Sequence, residues 1–556
     1  MSSGEDTVKT IEILKNAARN GKLILVVGCG ISSASVPGVN EFMDTFLDFL
    51  NEKSGCVYDG VIGRNACNGY RKKIKQKQFE YFLQHVSEII GDGKLFELLR
   101  ILYPPKETKG LAKHTTAAHR IIASALLKKK VTVLTTNFDG FIEAAYDSLK
   151  EKEEKPLEVI VKDDAYKVQN ETNDQNETNG KYYKLHGSTE YCYKDETVAT
   201  LFVEGAGFSE GKKNFLKKLY KKDENGDKAI WFYGYGLNDY DMMLLLKELA
   251  QDNEYHFANL VFNIFGVEKA NNMKLLEELF AQNKRDVKIQ YTTDMSNYII
   301  EEVLCAPHDE KPCVRYNFSC NEIEKLKIDK TTATLTLAKL LCMVERGDDH
   351  NTPDISSPLL ELLKNYRNTY IRQCELHHMI AQVVHEKTQK EHHFKKAFDI
   401  ATNQLKKLER CTYCSKNMHR FLTLNIEAQR MSCILSDDIE KYYQMIKSAN
   451  ELKDSLERNQ NKLMKQRFKI LYKRCYIARI KYSMRNGIKI NSDLANEIDE
   501  LVDNGNCVGD LDIHATAHYI KYLLNTTEDY KHANEAKFYY QLLGLDIGAL
   551  ASEFIP

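Results

Sequence analysis

Leu23-Ile24-Leu25-Val26-Val27 is an unbroken apolar run of strand length. A strand with no polar alternation must have both faces covered, which is the place of an inner strand in a parallel sheet. Similar runs recur at Val131-Thr132-Val133-Leu134, Leu157-Glu158-Val159-Ile160-Val161, Tyr182-Tyr183-Lys184-Leu185, Ala229-Ile230-Trp231-Phe232-Tyr233, Leu260-Val261-Phe262-Asn263-Ile264 and Val287-Lys288-Ile289-Gln290-Tyr291. Helical stretches separate most of them, and this alternation predicts an α/β fold with a doubly wound, Rossmann-like parallel sheet. Ahead of the first run, Asp6 is placed to N-cap a helix with Val8, Ile11, Leu14 and Ala18 on one face, and Gly21 is placed to stop it. Residues 38–128 are mostly helical in pattern and read as an insertion over the sheet. Gln169 to Gly180, rich in Asn, Thr, Asp and Gly, reads as a loop.

Beyond residue 320 the strand signal stops and amphipathic helices with few Gly or Pro take over. Phe421, Leu424, Ala428, Met431 and Leu435 make one helical stripe, and Phe468, Leu471, Cys475, Ala478 and Tyr482 repeat it 47 positions later. The same offset reaches Cys374, Ala381 and Val384 in one direction, and Ala515 and Tyr522 in the other. Helical hairpins repeating at this length stack into a solenoid, so a tetratricopeptide-like or HEAT-like array is expected, with an irregular helical bundle as the alternative. The domain reading is therefore residues 1–310 for the α/β domain and residues 321–556 for an all-α helical-repeat domain of regulatory or oligomerising role.

A net charge of −1, from 78 basic and 79 acidic residues, offers no electrostatic footprint for nucleic acid or an acidic membrane. The 14 cysteines show no regular pairing, the start Met1-Ser2-Ser3-Gly4-Glu5 is polar, and no apolar run reaches membrane-spanning length. A cytoplasmic protein is expected, with no nucleic-acid or membrane partner.

Chemistry concentrates where strands end. Gly28-Cys29-Gly30-Ile31-Ser32-Ser33 follows the first run directly, and its glycines would let backbone amides approach a pyrophosphate. It has neither the third glycine of the dinucleotide fingerprint nor the Gly-Lys-Ser/Thr ending of a P-loop. Thr135-Thr136-Asn137-Phe138-Asp139 ends the second run; Asn137 and Asp139 could serve chemistry, cap the helix that begins near Phe141, or both. Lys184-Leu185-His186-Gly187-Ser188 ends another run with an imidazole able to take and return a proton near neutral pH. Gly234-Tyr235-Gly236-Leu237-Asn238-Asp239 ends the Trp231 run, and Asn263 ends the next.

Together these boxes resemble the sirtuin family, in the family's order over about residues 23–293, and are more similar to its NAD-hydrolysing branch than to its deacetylases. The resemblance implies that Asn137 contacts the nicotinamide ribose and the attacking water, and that His186 is the general base. It also implies that Gly28, Gly30, Ser32, Ser33, Thr136, Asp139, Gly234, Tyr235, Asn238 and Asn263 bind NAD, which is the substrate. Gly236 stands where the family usually has Ser, removing one hydroxyl contact to phosphate. Deacetylating sirtuins carry a zinc ribbon of two Cys-x-x-Cys pairs between the His and late Gly boxes, whereas Leu185 to Gly234 contains only Cys192. No zinc or other metal is therefore expected.

Two further clusters remain. Cys305, His308, Cys313 and Cys320 could form a zinc knuckle or be unrelated thiols, and Cys411-x-x-Cys414 has no second pair nearby. His378, His385 and His392 stand roughly 10 Å apart if they share one helix face, too far to share an ion, and read as a solvated or pH-sensitive surface. The resemblance implies an NAD glycohydrolase, regulated by its helical array, that depletes NAD in immune or antiphage defence as a homo-oligomer or filament. An activating protein or ligand would act through the C-terminal helices. The alternatives are an NAD-dependent deacylase or ADP-ribosyltransferase, and a catalytically silent NAD-binding scaffold.

Overall fold

The computed structural model describes residues 4–542 except 65–68, 76–78, 152–154, 172–179, 201–207, 238, 266–270, 284–287, 293–297, 306–311, 317–319, 345–355, 366–368, 385, 409–414, 437, 458–461, 491, 504–510 and 525–529. It divides into two compact units. The first comprises Met1–Met43, Asp92–Leu201 and Gly207–Lys327, and the second is built mainly from Asp44–Gly91 and Ile328–Pro556.

All seven apolar runs form strands: β1 Leu23–Val27, β2 Val131–Thr135, β3 Val159–Ile160, β4 Tyr182–Lys184, β5 Ala229–Tyr233, β6 Asn259–Phe265 and β7 Lys288–Thr292. They make one sheet in the order β3-β4-β2-β1-β5-β6-β7, parallel at every pairing. The chain therefore winds outward from β1 in both directions, and the β1/β5 boundary is the switch point at which α/β sheets bind ligands. β3 keeps only two residues of the five-residue apolar run because it is an edge strand whose sole partner, β4, is itself three residues long.

Register brings the strand ends level. Val27 pairs with Thr135 on one side and Tyr233 on the other, Thr135 pairs with Lys184, and Tyr233 pairs with Asn263. The polar boxes after β1, β2, β4 and β5 therefore leave the sheet along one edge. Every residue of β1, β2 and β5 is buried, as their unbroken apolar composition requires. Leu25, Val133, Trp231 and Val261 join the helices Gly4–Arg19, Ala117–Leu127 and Tyr298–Leu304 in one core.

The first helix starts at Gly4, so Asp6 lies inside its first turn and is not the cap. Leu14 and Ala18 are buried, but Val8, expected on the same inward face, is 63% exposed. Gly21 stops the helix with a φ of 65°. Gln169 belongs to the helix Asp163–Glu171, and residues 172–179 of the expected loop lie outside the described residues.

In the second unit Phe79–Ile90 packs against Lys330–Val344, with Lys339 Nζ 2.8 Å from a Glu88 carboxylate oxygen. Part of the segment read as an insertion over the sheet thus clusters with the C-terminal helices. No strand occurs after residue 320 among the described residues. The 47-residue stripes fall on alternate helices, namely Tyr370–Val383, Ser415–Leu435, Lys462–Arg485 and Leu511–Leu524. Each of these touches the next of its kind as well as the helix between them in the chain.

The histidine ladder is not one face. His378 is buried in Tyr370–Val383 and packs edge-on against Phe394, His392 is exposed on the separate helix Lys387–Leu408, and His385 lies outside the described residues. The helix breaks between them, so a spacing of seven carries no common direction.

Candidate active site at the strand ends

The turns after β1 and β5 press directly on one another. Gly30 donates its amide to the Gly234 carbonyl at 2.9 Å, and a Cβ on Gly30 would lie 2.7 Å from that oxygen. A Cβ on Gly28 would meet the same oxygen and the Tyr235 ring at 2.9 Å. These two glycines are thus demanded by the contact of turn on turn, and the Gly30 amide is already committed within the protein. Gly234 itself has a φ of 62°.

Ser32 is the hub of this turn. Only 1% exposed, its hydroxyl donates to Asp139 Oδ2 at 3.2 Å and accepts from Asn137 Nδ2 at 3.3 Å. The carboxamide of Asn137 also donates to the Gly28 carbonyl at 3.2 Å, so its side chain ties β2 to β1 and does not cap a helix. Asp139 does serve the helix start, accepting the Phe141 amide through Oδ1 at 3.2 Å. Burial raises the Asp139 carboxyl to about 6, against the opposing pull of Lys184 and the added push of Glu143. Ser33 is exposed, and its hydroxyl turns back to the Gly30 carbonyl at 2.9 Å. Thr136, half-buried, lies beside this network in the same box.

A residue that sequence reasoning missed completes the network. His119 is fully buried in the first turn of Ala117–Leu127, with Nε2 3.0 Å from Ser32 Oγ. Its Nδ1 accepts the Thr116 amide at 3.0 Å while its own amide donates to Thr116 Oγ1 at 3.2 Å, a reciprocal cap. With Nδ1 accepting, the ring proton sits on Nε2 and points at Ser32. Burial, then the Arg120 charge, lowers His119 to about 3 and keeps it neutral. The signal was present as Thr116-x-x-His119 before an apolar helix, but His replaces the usual Glu or Gln of that motif.

His186 follows β4 and is 7% exposed. Its Nε2 is 2.8 Å from Asp239 Oδ2, its Nδ1 is 3.8 Å from Asp241 Oδ2, and Phe208 packs near its ring at 5.9 Å between centroids. Gly187 turns the chain with a φ of 98°, and a Cβ there would lie 2.3 Å from Thr197 Oγ1. Below the loop, buried Lys184 reaches Glu143 at 2.8 Å and the Asp139 carbonyl at 2.5 Å, fixing the His box to the Asn box.

On the β5 and β6 side, Tyr235 is buried and Gly236 exposed, while Asn238 lies outside the described residues. Asn263 is 1% exposed, and neither its Oδ1 nor its Nδ2 has a hydrogen-bond partner among the described residues. A buried carboxamide with both ends unsatisfied costs stability unless something polar meets it. Asn263 lies level with Tyr233, the last residue of β5, and two residues before the end of β6, so a ligand bearing donors and acceptors that reached this part of the sheet would meet the need.

His186, Asp239 and Asp241 are the one group among the described residues whose possible metal-ligating atoms all lie within 4.8 Å. Of the Cys305 to Cys320 cluster, Cys305 Sγ contacts the Glu302 carbonyl and Cys313 Sγ the His114 carbonyl at 3.2 Å. His308 and the Cys411-x-x-Cys414 pair lie outside the described residues. No described helix is long and apolar enough to cross a membrane.

A doubly wound parallel sheet with polar boxes at its strand ends puts this domain in the α/β class. Residues 131–284 match the SIR2-like domain, which supports a Sir2-family assignment and an NAD-using enzyme. The matched span carries the Asn137, His186, Gly234 and Asn263 boxes and begins after the Gly28–Ser33 turn. The chain matches no curated protein.

Proposed function

We propose that the chain is an NAD glycohydrolase that cleaves NAD to nicotinamide and ADP-ribose. The reading rests on one observation above the rest: within the SIR2-like span, Asn137 and His186 stand on neighbouring strand ends with the orphaned Asn263 carboxamide further along the same edge. Hydrolysis is favoured over deacylation because the interval from His186 to Gly234 has no pair of Cys-x-x-Cys elements to wall an acyl-lysine cleft.

In this reading Asn137, fixed by Gly28 and Ser32, presents an uncharged carboxamide to the ribose beside a developing oxocarbenium ion. His186 removes a proton from the attacking water. Nicotinamide departs neutral, so no strong acid is required of the site. The helical unit controls when this happens, by assembling copies of the chain or by binding an activating partner, and NAD depletion serves defence. Incubating the purified chain with NAD alone tests the activity: nicotinamide and ADP-ribose should form in equal amounts. NAD consumption only after adding an acylated peptide or acceptor protein would replace this reading with a deacylase or transferase. Binding without consumption would make the chain a scaffold.

A further inference from the structure

His186 faces two carboxylates, and their geometry is unequal. Asp239 Oδ2 lies 2.8 Å from His186 Nε2 and also receives the Tyr235 hydroxyl at 2.8 Å, while Asp239 Oδ1 accepts the Met242 amide at 3.2 Å. Asp241 Oδ2 stands 3.8 Å from Nδ1, beyond hydrogen-bond reach. Burial pushes the Asp239 carboxyl up, but His186, by charge and by hydrogen bond, together with Tyr235 and the Met242 amide, holds it below its ordinary value. An ionised carboxylate has no proton to offer. A neutral His186 therefore meets it with Nε2–H, and the imidazole lone pair belongs to Nδ1.

We propose that Asp239 is the positioning residue of His186, fixing the ring with its proton on Nε2 so that Nδ1 is the nitrogen that accepts the proton of the attacking water. This rests on the reading of the site as an NAD-cleaving centre. In the step, a water O–H bond breaks and its proton goes to Nδ1. The water oxygen bonds to the ribosyl carbon, and the carbon–nitrogen bond to nicotinamide breaks with its electron pair leaving on neutral nicotinamide. The imidazolium then lies between Asp239 and Asp241, and both carboxylates favour it. Tyr235 holds Asp239 from the other side, so the ring orientation is set by the turn after β5, the same turn that packs on Gly28 and Gly30.

Asp239→Asn isolates the role, because Asp239 also N-caps the helix Tyr240–Gln251 and Asn is an equally good cap. With the carboxamide oxygen kept on the Met242 amide, the NH2 group faces His186, which must then accept at Nε2 and carry its proton on Nδ1. The base points the wrong way, as when a triad aspartate is replaced by asparagine. In the full chain, kcat for NAD should fall about 10²–10⁴-fold with KM within about threefold and melting nearly unchanged. Nitrogen-15 spectra of histidine-labelled protein, with His186 assigned through His186→Gln, should show the proton on Nε2 in the wild type and on Nδ1 in Asp239→Asn. A wild-type proton on Nδ1, or a folded Asp239→Asn with wild-type kcat, overturns the proposal. Wild-type protein that cleaves no NAD overturns the functional reading instead, and the spectra still decide whether Asp239 sets the tautomer.

Discussion

His119 Nε2 lies 3.0 Å from Ser32 Oγ, and both side chains are buried. Through Ser32 the imidazole reaches Asp139 and Asn137 without touching either, so a helix on one side of the sheet determines how the β1 and β2 boxes meet. His119→Ala removes the donor to Ser32 and half of the reciprocal cap. Chemical denaturation should show a loss of about 1–3 kcal/mol, and kcat/KM for NAD should fall because Asn137 and Asp139 lose a common anchor. Unchanged stability would show that the contact contributes nothing.

The same network makes two opposing contributions to stability as pH changes. His119 is lowered to about 3 in the folded protein from an ordinary 6.5, so the unfolded chain takes up this proton first and stability is lost as pH falls below about 6.5. Asp139 is raised to about 6 from an ordinary 3.8, so its ionised form is penalised in the fold, and stability is regained as pH falls from about 6 toward 3.8. His119→Gln should therefore lose less stability than wild type on acidification from pH 6.5 to 4, and Asp139→Asn should lose more. Melting curves over that range check both directions.

Asn263 separates binding from folding. Replacing its orphaned carboxamide with a similar-sized apolar side chain, Asn263→Leu, removes two unsatisfied atoms from the interior. The ligand-free protein should melt at the same temperature or higher, while NAD affinity falls about tenfold, the value of one lost hydrogen bond in a protected site. Lower stability with unaltered affinity would remove Asn263 from the binding surface.

The sheet was legible because β1, β2 and β5 are buried on both faces and so contain almost nothing polar, a pattern that needs no partner to be recognised. The Asn137 and His186 boxes were legible because their residues lie adjacent in the chain. His119 was not, and Asp239 was legible only as the end of its box, since a lone histidine or aspartate at a helix start looks the same whether it caps or also holds another side chain. The glycines of the first turn were legible as glycines, but their contact with the Gly234 carbonyl was not, because the two turns lie far apart in the chain. Nor does local pattern reveal that Phe79–Ile90 packs on Lys330–Val344, because an amphipathic face does not say what covers it.

His186→Ala and Asn137→Ala should each reduce NAD cleavage by about 10²–10⁴-fold, the usual cost of losing a proton-transfer or positioning group. Both should remain folded by circular dichroism. Exhaustive chelation should leave the wild-type rate unchanged. A rate lost to chelator and restored by one divalent ion would assign that ion to His186, Asp239 and Asp241, the group whose ligand atoms already lie within 4.8 Å.

Truncation after Lys327 tests what the helical unit does, and the division of the chain sharpens the expected result. The polar boxes all belong to the first unit, so a chain ending there keeps every residue of the candidate site. It also keeps Asp44–Gly91, which clusters with the residues removed. Phe79–Ile90 would lose Lys330–Val344 and the Lys339 partner of Glu88, leaving Phe82, Leu83 and Val86, all fully buried in the intact chain, in need of new cover. Exposed apolar surface of that kind associates or unfolds. The truncated protein should thus lose cooperativity in its first melting transition and change its oligomeric size. A second truncation that also replaces residues 44–91 with a short Gly/Ser linker should recover a monodisperse domain. Its basal NADase rate then reports control directly, rising if the helices restrain the enzyme and falling if they assemble it. A monodisperse domain with wild-type size and kinetics would show that the helical unit has no part in regulation.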